Sequence, residues 1–126
     1  MSNRLIAHLS DLHIGCTPQH SIVAEKICNQ INILNIDEVI VTGDITEHGR
    51  TSELIEFKKI FQNLRAKLTI VPGNHDCLND SVAKQMMDNP HADLIQSVEL
   101  SIIRINSTGW HNRFFFASHG RLDKWI

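Results

Sequence analysis

Asp11 and His13 flank Leu12, and in locally extended chain this spacing sends a carboxylate and an imidazole to the same side, where both can grip one metal ion. Alone, the pattern is equally met by a capping carboxylate beside a surface histidine. Asp44 follows Gly43, which by itself reads as a common turn. Gly73-Asn74-His75-Asp76 is more specific. An asparagine carbonyl is a neutral oxygen ligand, the next imidazole can donate a proton, and the glycine lets the backbone carry both to a rim. The order of the three blocks, each behind an apolar run, makes coincidence negligible.

Those runs are the elements that must hold the chemistry. Arg4–Leu9 predicts a first strand ending in Ser10-Asp11, Glu38–Thr42 a second ended by Gly43-Asp44, and Leu68–Val71 a third stopped by Pro72-Gly73. Gly15–His20 reads as a loop. From Ser21 onward, Val23, Ile27, Ile31 and Leu34 recur at helical spacing, and Leu54, Phe57, Phe61 and Leu64 mark a second helix behind Thr51, its expected N-cap. The βαβαβ order implies right-handed crossovers and a parallel sheet buried on both faces, with ligands beyond the carboxyl ends of its strands. Asp11, Asp44 and Asn74-His75 all fall there. Further on, Ser81–Met87 reads as a short helix, Ser101–Ile105 as a strand, Phe114–Phe116 as a strand or buried loop, and Gly120–Ile126 as the opening of a helix.

The three blocks resemble those of the calcineurin-like metallophosphoesterase superfamily, whose pattern runs Asp-x-His, Gly-Asp, Gly-Asn-His-Asp/Glu, then a later His and Gly-His-x-His. Two further segments, Gly43-Asp44-Ile45-Thr46-Glu47-His48-Gly49 and Asn106-Ser107-Thr108-Gly109 followed by His119-Gly120-Arg121-Leu122-Asp123, are similar to the branch of class III cyclic-nucleotide phosphodiesterases. The resemblance implies an α/β fold, the βαβαβ core of the metallophosphoesterase sandwich. Residues 1–126 would form a single, truncated domain lacking the C-terminal half of that fold and its later histidine blocks.

Carried over by position, the resemblance makes Asp11 and His13 ligands of a first metal, Asp44 the bridging carboxylate and Asn74 a ligand of the second. His75 would be the proton donor, with Asp76 orienting it or capping the next helix, and His48 and His119 would lie near the substrate. The implied cofactors are two divalent ions, Mn, Fe or Zn. Held about 3.5 to 4 Å apart, such ions share a hydroxide that attacks phosphorus in line. The implied activity is metal-dependent phosphoric ester hydrolysis, as a phosphodiesterase acting on cyclic nucleotides or other small phosphodiesters. The second ion would keep only Asp44 and Asn74, unless His111 or His119 substitutes for a missing ligand. Two other readings are a catalytically inactive form that binds metal or nucleotide, and a DNA nuclease of the same superfamily, whose first motif Ser10–Gly15 also resembles.

The 126 residues fit one domain, and a formal charge of −2 gives no bulk attraction to nucleic acid or acidic lipid. Cys16, Cys28 and Cys77 form no C-x-x-C pair, the N-terminus has no signal-peptide pattern, and no run is long enough for a membrane span, so a reducing cytoplasm is the expected location. Cys28 and Cys77 read as small packed side chains, and His8, His20 and His91 as satisfied or solvated histidines. Trp110, with Arg113 and Phe114–Phe116, reads as core aromatics, the alternative being a base-stacking wall. A parallel sheet without its later strands leaves an uncovered edge, from which a homo-oligomer is expected.

Overall fold

The computed structural model of the chain describes residues 3–114 and 117–122. Strands β1 (Ile6–Ser10), β2 (Glu38–Thr42) and β3 (Lys67–Val71) form a parallel sheet in the order β1-β2-β3. Their register aligns Leu9 with Val41 and Ile70, and Ser10 with Thr42 and Val71, so the three strands end level. Each next residue, Asp11, Gly43 or Pro72, therefore leaves the sheet at one rim. The expected βαβαβ core is present, with helix α1 (Pro18–Ile33) between β1 and β2 and helix α2 (Thr51–Phe61) between β2 and β3.

Period-two alternation decides which side of the sheet is dry. Ala7, Leu9, Val39, Val41, Leu68 and Ile70 point to the core, where they meet Ala24, Cys28 and Ile31 of α1 and Leu54, Phe57 and Phe61 of α2. Phe57 is 1% exposed, and burying such a side chain stabilises by roughly 1.5–3 kcal/mol. Both helices thus lie on one face. Consecutive right-handed crossovers between neighbouring strands of unreversed order stack on the same side. The other face carries His8, Ile40, Thr42 and Thr69, and it is met by an antiparallel hairpin of β4 (Ala92–Gln96) and β5 (Ser101–Ile105). Arg104 fastens that hairpin: its guanidinium pairs with Asp93 and donates to the Ile70 and Met86 carbonyls at 3.1 and 3.2 Å.

Several expected boundaries shift for identifiable reasons. Helix α1 begins at Pro18 rather than Ser21, because proline at the first helical position forfeits no bond and its fixed φ suits the turn. Its buried stripe is Ala24, Cys28 and Ile31 with Ile27 half-buried, while Val23 is exposed and Leu34 lies beyond the last turn. At α2 the N-cap is Arg50, not Thr51. Glu53 reaches back to the Arg50 amide at 3.2 Å, and the Thr51 amide donates to Asp80 at 2.8 Å. Ser81–Met87 contains only a 3-10 turn at Val82–Gln85. The Ser101–Ile105 strand is found as β5, and its partner β4 went unread. Another 3-10 turn, Trp110–Arg113, ends at Phe114; Trp110 is 74% exposed and Phe114 is exposed too, so neither is core. Phe115 and Phe116 lie outside the described residues. Gly120–Leu122 is not helical, and the rest of the expected helix, from Asp123 on, also lies outside them.

Candidate metal centre

The loops after β1 and β2 run side by side. The Asp11 amide donates to the Gly43 carbonyl at 3.1 Å, the His13 amide to Asp44 at 3.0 Å, and the Ile14 amide to Ile45 at 2.9 Å, after which Ile14 and Thr46 form a parallel bridge. To make these bonds while turning over the rim, Asp11, His13 and Asp44 adopt left-handed backbone, with φ of 55°, 48° and 47°. The Asp-x-His pair is therefore not extended, and its two side chains converge through left-handed turns instead. Such backbone costs an ordinary L-residue roughly 1–2 kcal/mol, and it recurs where structure is over-determined for function.

The geometry brings three donors together. His13 Nε2 lies 3.8 Å from Asp11 Oδ1 and 4.0 Å from Asp44 Oδ2, and one atom from each residue falls within 4.8 Å of the others. Those separations are too long for hydrogen bonds. They suit atoms that share a cation, since bonds of about 2.1 Å put two ligands roughly 3–4 Å apart. Two carboxylates and an imidazole form a donor set for Mn, Fe or Zn, so the residues fit the metal that their pattern implies.

A close approach of β3's loop completes the rim. A Cβ on Gly73 would lie 2.3 Å from both the amide nitrogen and Oδ1 of Asp44, so only glycine admits this contact. The next turn, His75–Cys77, aims the His75 amide at Asp44 Oδ1, 3.0 Å away. The His75 ring meets the His13 ring edge to face, with centroids 4.9 Å apart. His75 Nδ1 lies 2.7 Å from the Glu47 carbonyl, and because a carbonyl only accepts, Nδ1 carries the hydrogen. Asn74 lines a cavity of about 590 Å³ between the open sheet face and β5, shared with Gly43, Thr42 and His119.

Asp76 takes neither of the two roles expected for it. Fully buried, its carboxylate accepts from the Ile45 and Thr46 amides at 3.2 and 2.8 Å, from Thr46 Oγ1 at 2.7 Å and from the Gly73 amide at 2.8 Å. It is a brace between the loops that carry Asp44 and Asn74. Burial pushes this carboxyl above its usual value, while the bonds from Gly73, Thr46 and Ile45 pull the other way. Its neighbour Cys77 is buried, with a weak contact from Sγ to the Gly73 carbonyl, and desolvation raises its thiol, as expected of a packed side chain.

Glu47 was missed by sequence reasoning, where it appears only inside the Gly43–Gly49 segment; a carboxylate three residues past Asp44 was the available signal. Its Oε2 stands 2.7 Å from His13 Nδ1 and 3.8 Å from His75 Nδ1. The first contact is short but bent, so Nδ1 of His13 has no aligned hydrogen-bond partner as the side chains stand. His48, on the same loop, is held by buried Glu53, which accepts from His48 Nδ1 at 2.7 Å and from its amide at 2.9 Å. His119 stacks on His111, with centroids 5.0 Å apart, and its carbonyl lies 3.0 Å from His111 Nε2. Among the described residues the clusters able to hold an ion are Asp11–His13–Asp44 and His13–Glu47–His75; neither includes His111 or His119.

The profile of the calcineurin-like phosphoesterase family matches residues 4–126. A probable cyclic nucleotide phosphodiesterase of Vesicomyosocius okutanii is 32% identical over 73 residues, a match covering 58% of this chain and 31% of that protein. The glycerophosphodiester phosphodiesterase GpdQ of Enterobacter lignolyticus is 33% identical over 82 residues, covering 57% of this chain and 29% of the relative. The matches thus span about a third of the length of these curated relatives. A crystal structure of a protein of unknown function from Aquifex aeolicus shares the fold at a TM-score of 0.50 and 21% identity, over 80% of this chain and 59% of that one. The level ends of three parallel strands, the convergent donors above them and a profile match over nearly every residue lead to one assignment: the chain belongs to the calcineurin-like phosphoesterase family.

Proposed function

We propose that this chain is the metal-binding part of a phosphoric ester hydrolase that cleaves small phosphodiesters, cyclic nucleotides among them. The convergence of Asp11, His13 and Asp44 beneath His75 carries the reading. Asp11, His13 and Asp44 would hold one divalent ion, and Asp44 with Asn74 a second. When bound, such ions neutralise phosphate oxygens and activate water. The chain's own residues supply the rest. Asp44 spends Oδ1 on the His75 amide and keeps Oδ2 toward His13. His75, with Nδ1–H committed to the Glu47 carbonyl, would deliver a proton from Nε2 to the leaving alkoxide from its doubly protonated, imidazolium form. The cavity beside Asn74 and His119 is of a size for small ligands, and His48 borders the same loops as a substrate contact. The names of the relatives support a diester substrate. The formal charge of −2 argues against a nuclease, and no helix among the described residues is long and apolar enough to cross a membrane.

Purified protein supplied with Mn is expected to hydrolyse bis(p-nitrophenyl) phosphate faster than an Asp44→Asn variant does. Equal rates would refute catalysis by this chain. A metal- or nucleotide-binding module without turnover is favoured by one observation: among the described residues no second cluster of acidic or histidine ligands surrounds Asn74. Calorimetry detecting neither Mn nor nucleotide binding would exclude that second reading.

A further inference from the structure

Behind the turn that follows β3, buried Cys77 and Met87, the segment after β5 and the 3-10 turn Trp110–Arg113 enclose a cavity of about 240 Å³. None of Asp11, His13, Asp44, Asn74 and His75 lines it. The geometry points to this cavity as a second ligand site, for a nucleoside monophosphate whose phosphate pairs with Lys84 and Arg113 and whose base stacks on Trp110. The site does not depend on the metal-binding reading above.

Charge selects the anion. Lys84 and Arg113 both line the cavity and both are exposed, while no Asp or Glu lines it, in a chain whose formal charge is −2. Among the described residues the ion pairs of lysine and arginine are those of Arg4 and Arg104, and neither Lys84 nor Arg113 shares in them. Burial is the main influence on the Cys77 thiol and raises it, but Arg113 pulls it down, so the guanidinium charge is felt at the inner wall. An arginine fork can hold phosphate through two parallel bonds, with lysine as a point charge beside it.

Trp110 selects the base. Its indole, 74% exposed, borders the cavity, and exposed Phe114 meets it at 77° with centroids 6.2 Å apart. The core does not use this ring, and exposure favours the stacking wall over core aromatics, since every base offers a face to such a platform. The turn beneath it is braced: buried Asn112 accepts from the Gly109 amide at 2.9 Å and donates to the Ala117 carbonyl at 2.7 Å. Across the cavity, Asn106 donates to the Pro90 carbonyl at 2.8 Å and accepts from Thr108 Oγ1 at 2.6 Å. Walls set in advance leave less ordering to be done on binding. The cavity is small among ligand sites, so it takes phosphate and sugar and leaves the base over its rim on the indole.

Calorimetry in EDTA, with the ion site stripped, is expected to find one AMP bound per chain, and adenosine and inorganic phosphate each bound more weakly. Trp110→Ala should weaken AMP about 5- to 100-fold, and Trp110→Phe, which keeps a ring, should retain most of the affinity. Lys84→Ala with Arg113→Ala should weaken AMP by at least about tenfold and leave adenosine unchanged. All three side chains are exposed, so the variants should melt with the wild type. The inference is overturned by absence of AMP binding in EDTA, by full affinity in Trp110→Ala, or by inorganic phosphate binding as tightly as AMP. Loss of AMP binding in metal-free Asp44→Asn would place the nucleotide at the metal centre instead, and would overturn it too.

Discussion

Gly73→Ala adds a single methyl group at the closest approach between the loops that carry Asp44 and Asn74. Its carbon would start 2.3 Å from the amide nitrogen and Oδ1 of Asp44, and 2.9 Å from the Gly43 Cα. Relief to ordinary contact requires the loops to part by about 1 Å. They cannot do so freely, since the Gly43 amide is bonded to Val71 at 2.8 Å, the Asp44 carbonyl to the His13 amide at 3.0 Å, and Asp44 Oδ1 to the His75 amide at 3.0 Å. Overpacking of this kind costs about 1–3 kcal/mol. For a domain of this size that lowers Tm by roughly 5–20 °C. The carboxylate that moves belongs to the candidate ion site, so Mn affinity should fall by at least about tenfold, in line with the loss that small misplacements of site groups produce. Calorimetric melts of metal-free protein and Mn titrations of the same sample measure both. Gly43→Ala serves as a control: its φ of 78° is strained, but an added Cβ would stand 3.7 Å from its nearest neighbour, so it carries about 1 kcal/mol of backbone cost without the collision. A Gly73→Ala protein that melts and binds Mn like the wild type would refute the close packing on which the site rests.

Asp76→Ala strands four buried donors at Ile45, Thr46 and Gly73 and should destabilise by on the order of 3 kcal/mol or more in urea unfolding, with Mn affinity falling as well. Burial, aided by the charge of Glu25, pushes the Cys28 thiol up to about 11. The unfolded chain then loses that proton first, so stability is full below about pH 9 and declines toward pH 11, by on the order of 2 kcal/mol. Cys28→Ala should flatten this slope in melts taken across that range. Ile6 and Ile103 expose large apolar side chains on β1 and β5, and light scattering should find species larger than a 14.3 kDa monomer, reduced by Ile6→Lys with Ile103→Lys.

The parallel core could be read from the chain because its signals are local: three apolar runs, each broken by glycine, proline or aspartate, with helical periodicity between them. The site blocks were visible for the same reason, standing next to those breaks. What stayed hidden depends on contacts between distant segments. The left-handed backbone at Asp11, His13 and Asp44 is imposed by bonds across two loops, and nothing in Asp-Leu-His announces it. Asp76 resembled a partner for its neighbour in sequence, yet it bonds residues about thirty positions earlier. Strand β4 has short, mixed apolar content and gains its identity by pairing with β5, while the single helix-bearing face of the sheet follows from strand order, which no local pattern encodes.

The positive φ values at Asp11, His13 and Asp44 restrict which substitutions the chain can explore. Left-handed backbone is tolerated best by glycine, asparagine, aspartate and histidine. Glutamate and glutamine offer the same oxygen chemistry on a longer arm, but they lack the short polar side chain that eases this conformation. Drift at these positions is thus confined to a few residue types before any ion exerts selection. The turn, as much as any ion, writes the alphabet from which the candidate ligands are drawn.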